Sequence, residues 1–172
     1  MNRYLVQASI WGISGGFACF IWFLAVYYSG VNPFYSVPQS LVILLQAAVV
    51  YFGMMEFRDR QISKEFSFGE GLLCGLLITL FLTVISSVVV YGFVQYFYPE
   101  MVATHILELK KYLITNKQLL VKESSIEVFE GNLRNVNQVS AFTLGVDEFI
   151  WKMIRGIMLS ILAALILRRK VA

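Results

Sequence analysis

Two long stretches without any charged side chain constrain this fold more than any other feature of the chain. After Arg3 no charged residue occurs until Glu56, and residues 71–99 carry none. A helix on the surface of a soluble domain needs a polar face toward water, so uncharged stretches of this length are typical of segments embedded in lipid. The composition agrees, because only 15% of the residues are charged, against about 25% in soluble domains.

Turn signals divide the apolar sequence into four predicted membrane-spanning helices. The predicted spans are residues 4–28, 38–57, 68–98 and 148–167, within a single membrane domain over residues 1–172. A bilayer core requires about 20 residues of helix. Gly30 and Pro33 mark the first loop, and Pro99 ends or bends the third helix. The first apolar run is longer than the core of a signal peptide, so we expect it to be retained.

The basic residues of the short loops and of the chain ends fall on one side of this arrangement. Loop 29–37 has no Lys or Arg. Basic side chains flank the first span, occur in the second loop and follow the last span: Arg3, Arg58, Arg60, Lys64, Arg168, Arg169 and Lys170. Short cytoplasmic loops carry an excess of Lys and Arg. We therefore predict that both termini and the second loop are cytoplasmic, which places residues 99–147 outside.

The segment 99–147 is polar but periodic. Apolar residues recur at helical spacing in two runs: Val102, Ile106, Leu109 and Leu113, then Ile126, Phe129, Leu133 and Val136. Ser124 or Ser125 is placed to cap the second run. The spacing predicts an extracytoplasmic amphipathic hairpin of two helices. Five basic and five acidic residues between 100 and 134 make it nearly neutral. The sequence leaves two positions open for this hairpin: packed on the helix ends of the same protein, or lying on the membrane surface. A strongly anionic membrane surface would favour a basic polar face instead of a neutral one.

The last predicted span carries two basic residues within its apolar run. Counting about 20 residues back from Leu167 places the outer membrane boundary near Glu148. We expect Lys152 to snorkel toward the surface and to pair with Glu148, four residues earlier. Arg155 lies deeper, so we expect it to point into the helix bundle or toward the hairpin. Both are candidate partner or lipid contacts, with Arg155 either a structural anchor or a ligand contact.

Small residues repeat every four positions in two of the spans. They are Ala8, Gly12 and Gly16 in the first span, and Gly71 and Gly75 in the third. Such ridges let helix backbones approach closely, which matters in lipid because the hydrophobic effect does not drive helix association there. We expect them to pack within the four-helix bundle. The alternative is contact with a second copy or with a partner subunit.

Polar residues at membrane depth form a candidate stripe. Gln46 lies in the second span, and Thr79, Thr83, Ser86 and Ser87 lie in the third. Hydrogen bonds between helices explain these residues, and Gln46 is placed to bond into the stripe that contains Thr83. A polar translocation path uses the same chemistry. Carriers of ions and protons, however, usually place an ionisable residue at mid-membrane, so we prefer helix packing.

The second loop concentrates charge. Basic residues Arg58, Arg60 and Lys64 alternate with carboxylates that include Asp59. A network of surface ion pairs explains this alternation. Binding of a phosphate or a lipid headgroup by the three basic residues is the less favoured reading, and it makes these four residues candidate partner or lipid contacts.

Signatures of catalysis are absent from the sequence. There is no GxSxG, P-loop, HExxH or glycine-rich dinucleotide turn. His105, the only histidine, is expected on a solvated helix face, and Cys19 and Cys74 are expected to be small buried residues. No basic face with interleaved aromatic residues suggests nucleic acid. We therefore expect a protein that is not an enzyme and has no catalytic residue, metal or cofactor.

The second loop and the start of the third span resemble a known family. The segments YFGMMEFRDR and FSFGEGLLCGLLITL are similar to the bacterial membrane family known as domain of unknown function 4199. The positions that match are Gly53, Phe57, Arg58, Asp59, Phe66, Ser67, Phe68, Gly69, Gly71 and Gly75. The last span, with Gly156 and its basic tail, is also similar. The resemblance implies four helices, an extracytoplasmic insertion and the bacterial inner membrane, and it implies no activity. Lys152 and Arg155 depart from the pattern and receive no role from it.

Two functions of different classes are compatible with the sequence. The first is a non-enzymatic accessory or scaffold subunit of a membrane complex, in contact with lipids and with other membrane subunits or itself. The second is a small carrier or lipid-handling protein that uses the stripe of Gln46 and Thr83 together with the region of Arg155. The first is favoured because several candidate docking surfaces are present and catalytic signatures are not.

Overall fold

A computed structural model describes residues 2–34, 36–60 and 66–169. The described chain forms seven α-helices and one short 3-10 turn, Val136–Gln138. The helices are α1 Asn2–Tyr28, α2 Ser36–Asp59, α3 Phe68–Tyr96, α4 Glu100–Thr115, α5 Lys117–Glu123, α6 Ile126–Asn135 and α7 Ala141–Leu167. The chain divides into two compact units: residues 1–89 with 147–172, and residues 90–146. We call them the bundle unit and the insertion unit.

Four helices are long and apolar enough to cross a membrane: α1, α2, α3 and α7. This confirms the prediction of an all-α polytopic membrane fold. The last helix begins at Ala141, earlier than the predicted start near Glu148. The reason is a cap, because the Thr143 backbone N–H donates to Ser140 Oγ at 3.2 Å and the Ser140 N–H donates to Thr143 Oγ1 at 2.8 Å. Such reciprocal bonds satisfy the free donors of a first helical turn.

Glycines bring α1 and α3 of the bundle unit into close contact. A Cβ atom placed on Gly12 would lie 2.8 Å from the Ile78 carbonyl oxygen and would also collide with Phe81. A Cβ on Gly16 would lie 2.8 Å from Ile85 Cβ. Both glycines therefore face α3 of the same chain, as expected for packing within the bundle.

The second glycine ridge lies where α3 meets α2 and α7. A Cβ on Gly75 would lie 2.8 Å from Met54 Sδ and 2.8 Å from Ser160 Cβ. A Cβ on Gly71 would lie 3.0 Å from the ring of the buried Phe66. This ridge too is used for packing inside the chain.

One pair of backbone hydrogen bonds joins the start of α3 to the end of α7. The Phe66 N–H donates to the Arg169 carbonyl oxygen at 3.0 Å, and the Arg169 N–H donates to the Phe66 carbonyl oxygen at 3.0 Å. Phe66 is fully buried in a core cluster that includes Phe57, Ala164 and Leu167. We call this contact the backbone clasp and the surrounding region the basic end of the bundle unit. Lys170 lies outside the described residues.

The insertion unit contains more helix than the sequence predicted. Residues 117–123, expected to link two helices, form α5. Ser125 caps α6, accepting a hydrogen bond from the Val128 N–H at 3.2 Å, so one of the two proposed caps is present. His105 was expected on a solvated face, and this is wrong: its side chain is buried, as are Met101 and Phe129. Helical spacing places His105 one turn after Met101, on the apolar side of α4.

Candidate functional site

A buried ion pair lies inside the bundle unit. Lys152 and Glu148 are one turn apart on α7, and the Lys152 Nζ contacts Glu148 Oε1. The same Nζ donates to Ser86 Oγ of α3 at 2.7 Å. Lys152 is only 2% exposed and Glu148 is 7% exposed. The pairing predicted from the four-residue spacing is confirmed. The prediction that Lys152 snorkels to the surface is wrong, because its ammonium group is buried and directed across the bundle toward Ser86.

Gln46 supports the turn of α7 that carries this pair. Its Nε2 donates to the Lys152 backbone carbonyl oxygen at 2.8 Å, and the side chain is fully buried. This approach requires a glycine one turn further on, because a Cβ on Gly156 would lie 2.6 Å from Gln46 Nε2 and would collide with Thr79. The Gln46 Oε1 atom has no hydrogen-bond donor among the described residues. An orphaned buried acceptor of this kind carries a desolvation cost.

The remaining polar residues of the stripe hold α3 against α7 or bond to their own helix. Thr79 Oγ1 and Ser160 Oγ are 3.3 Å apart, and Ser160 Oγ donates to the Gly156 carbonyl oxygen at 2.7 Å. Thr83 Oγ1 donates to the Leu80 carbonyl oxygen at 3.0 Å. Gln46 therefore bonds to the backbone of α7 rather than into the Thr83 stripe, and the stripe is closed by packing.

A small cavity, open on one side, lies beside the ion pair. Its charged wall consists of Glu148, Lys152 and Arg155 of α7. Its apolar wall includes Cys19, Trp22 and Val26 of α1 and Pro33 of the first loop. We call it the charged cavity. Arg155 is half-buried and lines this cavity, as expected for a side chain that points into the bundle rather than into lipid.

The basic end of the bundle unit holds a second polar cluster, centred on Glu56. Glu56 Oε2 accepts hydrogen bonds from Gln7 Nε2 at 2.8 Å and from Trp11 Nε1 at 2.5 Å. Its Oε1 contacts the Arg60 guanidinium one turn later. The cluster thus ties α1 to the last turns of α2, and Gln7 is buried within it.

The sequence did not predict the Glu56 cluster, because forty-five positions separate Trp11 from Glu56. One sequence feature points to such a cluster: Gln7 and Trp11 are hydrogen-bond donors one helical turn apart in a largely apolar first span.

The other loop charges stay local. The Arg58 guanidinium lies 2.8 Å from the carboxylate of its neighbour Asp59. Glu70 completes a capping box at the start of α3: its Oε2 accepts from the Ser67 N–H at 2.9 Å, and the Glu70 N–H donates to Ser67 Oγ at 3.2 Å. Both arrangements agree with the predicted surface ion pairs and helix start. Lys64 lies outside the described residues.

Within residues 2–34, 36–60 and 66–169 no group of three or more His, Cys, Asp or Glu side chains is placed to hold a metal ion. Cys19 and Cys74 are buried and unpaired with one another. The charged cavity combines one carboxylate and two basic side chains with apolar walls.

Comparison with known proteins identifies the chain by its family alone. No curated protein and no solved structure matches it. A family model described as protein of unknown function, DUF4199, matches residues 10–169. That range includes the second loop, the glycines at the start of α3, and the whole of α7 with its ion pair. This multi-pass membrane protein therefore belongs to the DUF4199 family.

Proposed function

We propose that the protein is a non-enzymatic accessory or scaffold subunit of a complex in the bacterial inner membrane, with both termini cytoplasmic. The observation that carries the proposal is the contrast between a bundle interior closed by its own contacts and an insertion unit that exposes apolar side chains. The bacterial membrane is implied by the family resemblance, and the orientation by the basic residues of the second loop and C-terminal tail.

The closed interior argues against a carrier. Gln46, Thr79 and Ser160 are fully buried and engaged in contacts between helices. Gly156 fits against Gln46 and Thr79 with no room for a methyl group. A carrier needs a polar path through the membrane that admits its cargo. Helices packed this closely around Gln46 and Thr79 leave no such path there.

The insertion unit offers a docking surface largely outside the long apolar stretches of the four predicted spans. Its helices expose large apolar side chains: Leu107, Tyr112, Ile114, Leu119, Ile126 and Val128. Exposed apolar side chains on a polar, extramembrane unit are typical of an interaction surface. The unit is nearly neutral, with five basic and five acidic residues between 100 and 134. Lipid would favour a basic face, so we assign this surface to another membrane protein.

Site-specific photo-crosslinking in native membranes tests the proposal. A photoreactive residue at Leu107 or Leu119 is expected to give a discrete adduct with one integral membrane protein, identified by mass spectrometry. The same residue at Leu44, which is 70% exposed on the membrane-spanning α2, is the matched control and is expected to label lipid only. The additional change Leu119→Asp is expected to abolish the Leu107 adduct. Absence of any protein adduct from the insertion unit, with only monomer on native gels, contradicts the proposal.

A further inference from the structure

The charged cavity has room for about one water molecule beside the ion pair of Glu148 and Lys152. It is far smaller than the pockets that hold drug-sized ligands. Both side chains of the pair line it, and both are more than nine-tenths buried. A cavity with purely apolar walls stays dry, whereas water binds where polar groups are placed to bond to it. The polar part of the lining therefore decides whether this cavity is hydrated.

The ion pair keeps hydrogen-bonding capacity that its protein partners do not use. An ammonium group has three N–H donors. Lys152 directs one to Glu148 Oε1 and one to Ser86 Oγ, so one has no protein acceptor in the described part of the chain. A carboxylate accepts about four hydrogen bonds, and Lys152 supplies one of those that Glu148 accepts. Arg155 has an interaction of its own, and the pair supplies both a donor and an acceptor to water without it.

The lining of the cavity extends from the loop end of α1 into the bundle. Val26 and Pro33 line it near that end, and Cys19 lines it further in, about 10 Å from Val26 at 1.5 Å per residue. The loop end of a membrane-spanning helix lies near the interface with water. A buried charge is costly when it loses its hydration without compensation. A water molecule bound here restores part of the hydration that the pair loses on burial.

We propose that the charged cavity is a hydration site, which binds one ordered water molecule. The water accepts a hydrogen bond from the remaining N–H of Lys152 and donates one to the carboxylate of Glu148. Together with Ser86 it completes a polar network inside the bundle unit, so that the ion pair is hydrated although its side chains are buried. The site does not depend on the subunit role proposed above, because residues of the bundle unit line it and the docking surface lies on the insertion unit.

Radiolytic labelling of the full chain in detergent micelles tests the site through two cysteines. X-rays split water into hydroxyl radicals that react close to where they form, so a buried side chain is oxidised when a water molecule is bound beside it. Cys19 and Cys74 are equally buried, with no exposed surface. Cys19 lines the cavity, whereas Cys74 packs in an apolar core cluster. We expect the Cys19 thiol to be oxidised several times faster than the Cys74 thiol, as measured by mass spectrometry of the digested chain. Equal rates overturn the proposal.

Filling the cavity assigns the water to this place. Val26→Phe adds apolar volume at the lining without changing its charge and is expected to lower the oxidation rate of Cys19 to that of Cys74. Val88→Phe makes the same change on an exposed position of α3 and is the matched control, expected to leave both rates unchanged. Equal effects of the two variants on Cys19 contradict the assignment to the cavity.

Removing the charges tests whether the ion pair holds the water. The double variant Glu148→Leu/Lys152→Met replaces both charged groups by apolar ones, a change that proteins often tolerate at buried ion pairs. We expect the oxidation rate of Cys19 to fall to that of Cys74, because an apolar cavity stays dry. A rate that stays high would show that water enters without the pair, which overturns the proposal. If Val26→Phe fails to fold, this double variant decides.

Discussion

The bundle unit contains two salt bridges, each between a glutamate and a basic residue, that share the same sequence spacing but have very different surroundings. Glu56 and Arg60 are four residues apart at the end of α2, and Glu148 and Lys152 are four residues apart within α7. The side chains of the first pair are 33% and 61% exposed, whereas those of the second are 8% and 2% exposed. Sequence spacing thus predicts that a pair forms, but burial decides what the pair contributes.

The difference follows from how water treats each charge. An exposed pair is screened by solvent and contributes about 0–1 kcal/mol. A buried pair loses the hydration of both ions, and its two charges then depend on each other, so that removing one partner costs about 3–5 kcal/mol. Loss of one partner should therefore cost the buried pair several times more stability than the exposed pair.

Removing the carboxylate of the buried pair should have the largest effect. Glu148→Gln leaves the Lys152 ammonium buried without a counter-charge, and we expect the free energy of unfolding to fall by about 3–5 kcal/mol. Denaturation of the purified chain in detergent micelles measures this change. The double variant Glu148→Gln/Lys152→Met removes both charges and is expected to recover most of the loss. If the double variant is no more stable than the single one, the two side chains are not coupled as the structure indicates.

A substitution one turn after Lys152 on α7 tests the contribution of close helix packing separately from that of charge. Gly156→Ala places a methyl group against Gln46 and Thr79, and overpacking of this kind costs about 1–3 kcal/mol. Gly92→Ala is the matched control, since nothing lies within 4 Å of a Cβ there, and we expect its stability to stay within about 1 kcal/mol of the parent. Equal stability of the two variants would show that α7 has more freedom at Gly156 than the structure allows.

Breaking the exposed pair should have the smallest effect. We expect Arg60→Gln to lower the free energy of unfolding by about 0–1 kcal/mol and the loss to shrink in high salt, because exposed pairs are screened. Glu56 keeps its hydrogen bonds from Gln7 and Trp11 in this variant. The same denaturation measurement, repeated at low and high salt, checks it. A loss as large as that of Glu148→Gln would remove the contrast between the two pairs.

The sequence was sufficient for the features that depend on local pattern. Hydropathy placed the four spans, and the four-residue spacing placed Glu148 beside Lys152. Glycine spacing indicated close contacts, although it did not say which helix would meet Gly12. These properties follow from the period of a helix and from the thickness of a bilayer.

Other features depend on which helix faces meet, and local pattern does not determine that. Position along α7 alone predicts that Lys152 reaches the surface, whereas the direction of its side chain is set by Ser86 on α3. The contact of Trp11 with Glu56 and the charged cavity are likewise products of tertiary packing. α5 was missed for a different reason, since a helix of seven residues is too short to show a clear period.

The backbone clasp has a consequence for the time course of synthesis. The partners of the Phe66 N–H and carbonyl oxygen lie on Arg169, so 103 residues (169 − 66) must be added before they exist. At about 5–20 residues per second this delay is roughly 5–20 s. During that interval the entrance to α3 has no clasp, and the emerging chain depends on water, lipid headgroups or the insertion machinery to satisfy those two groups. The start of α3 thus completes its contacts only after α7 has been made, although its own sequence is made before the insertion unit.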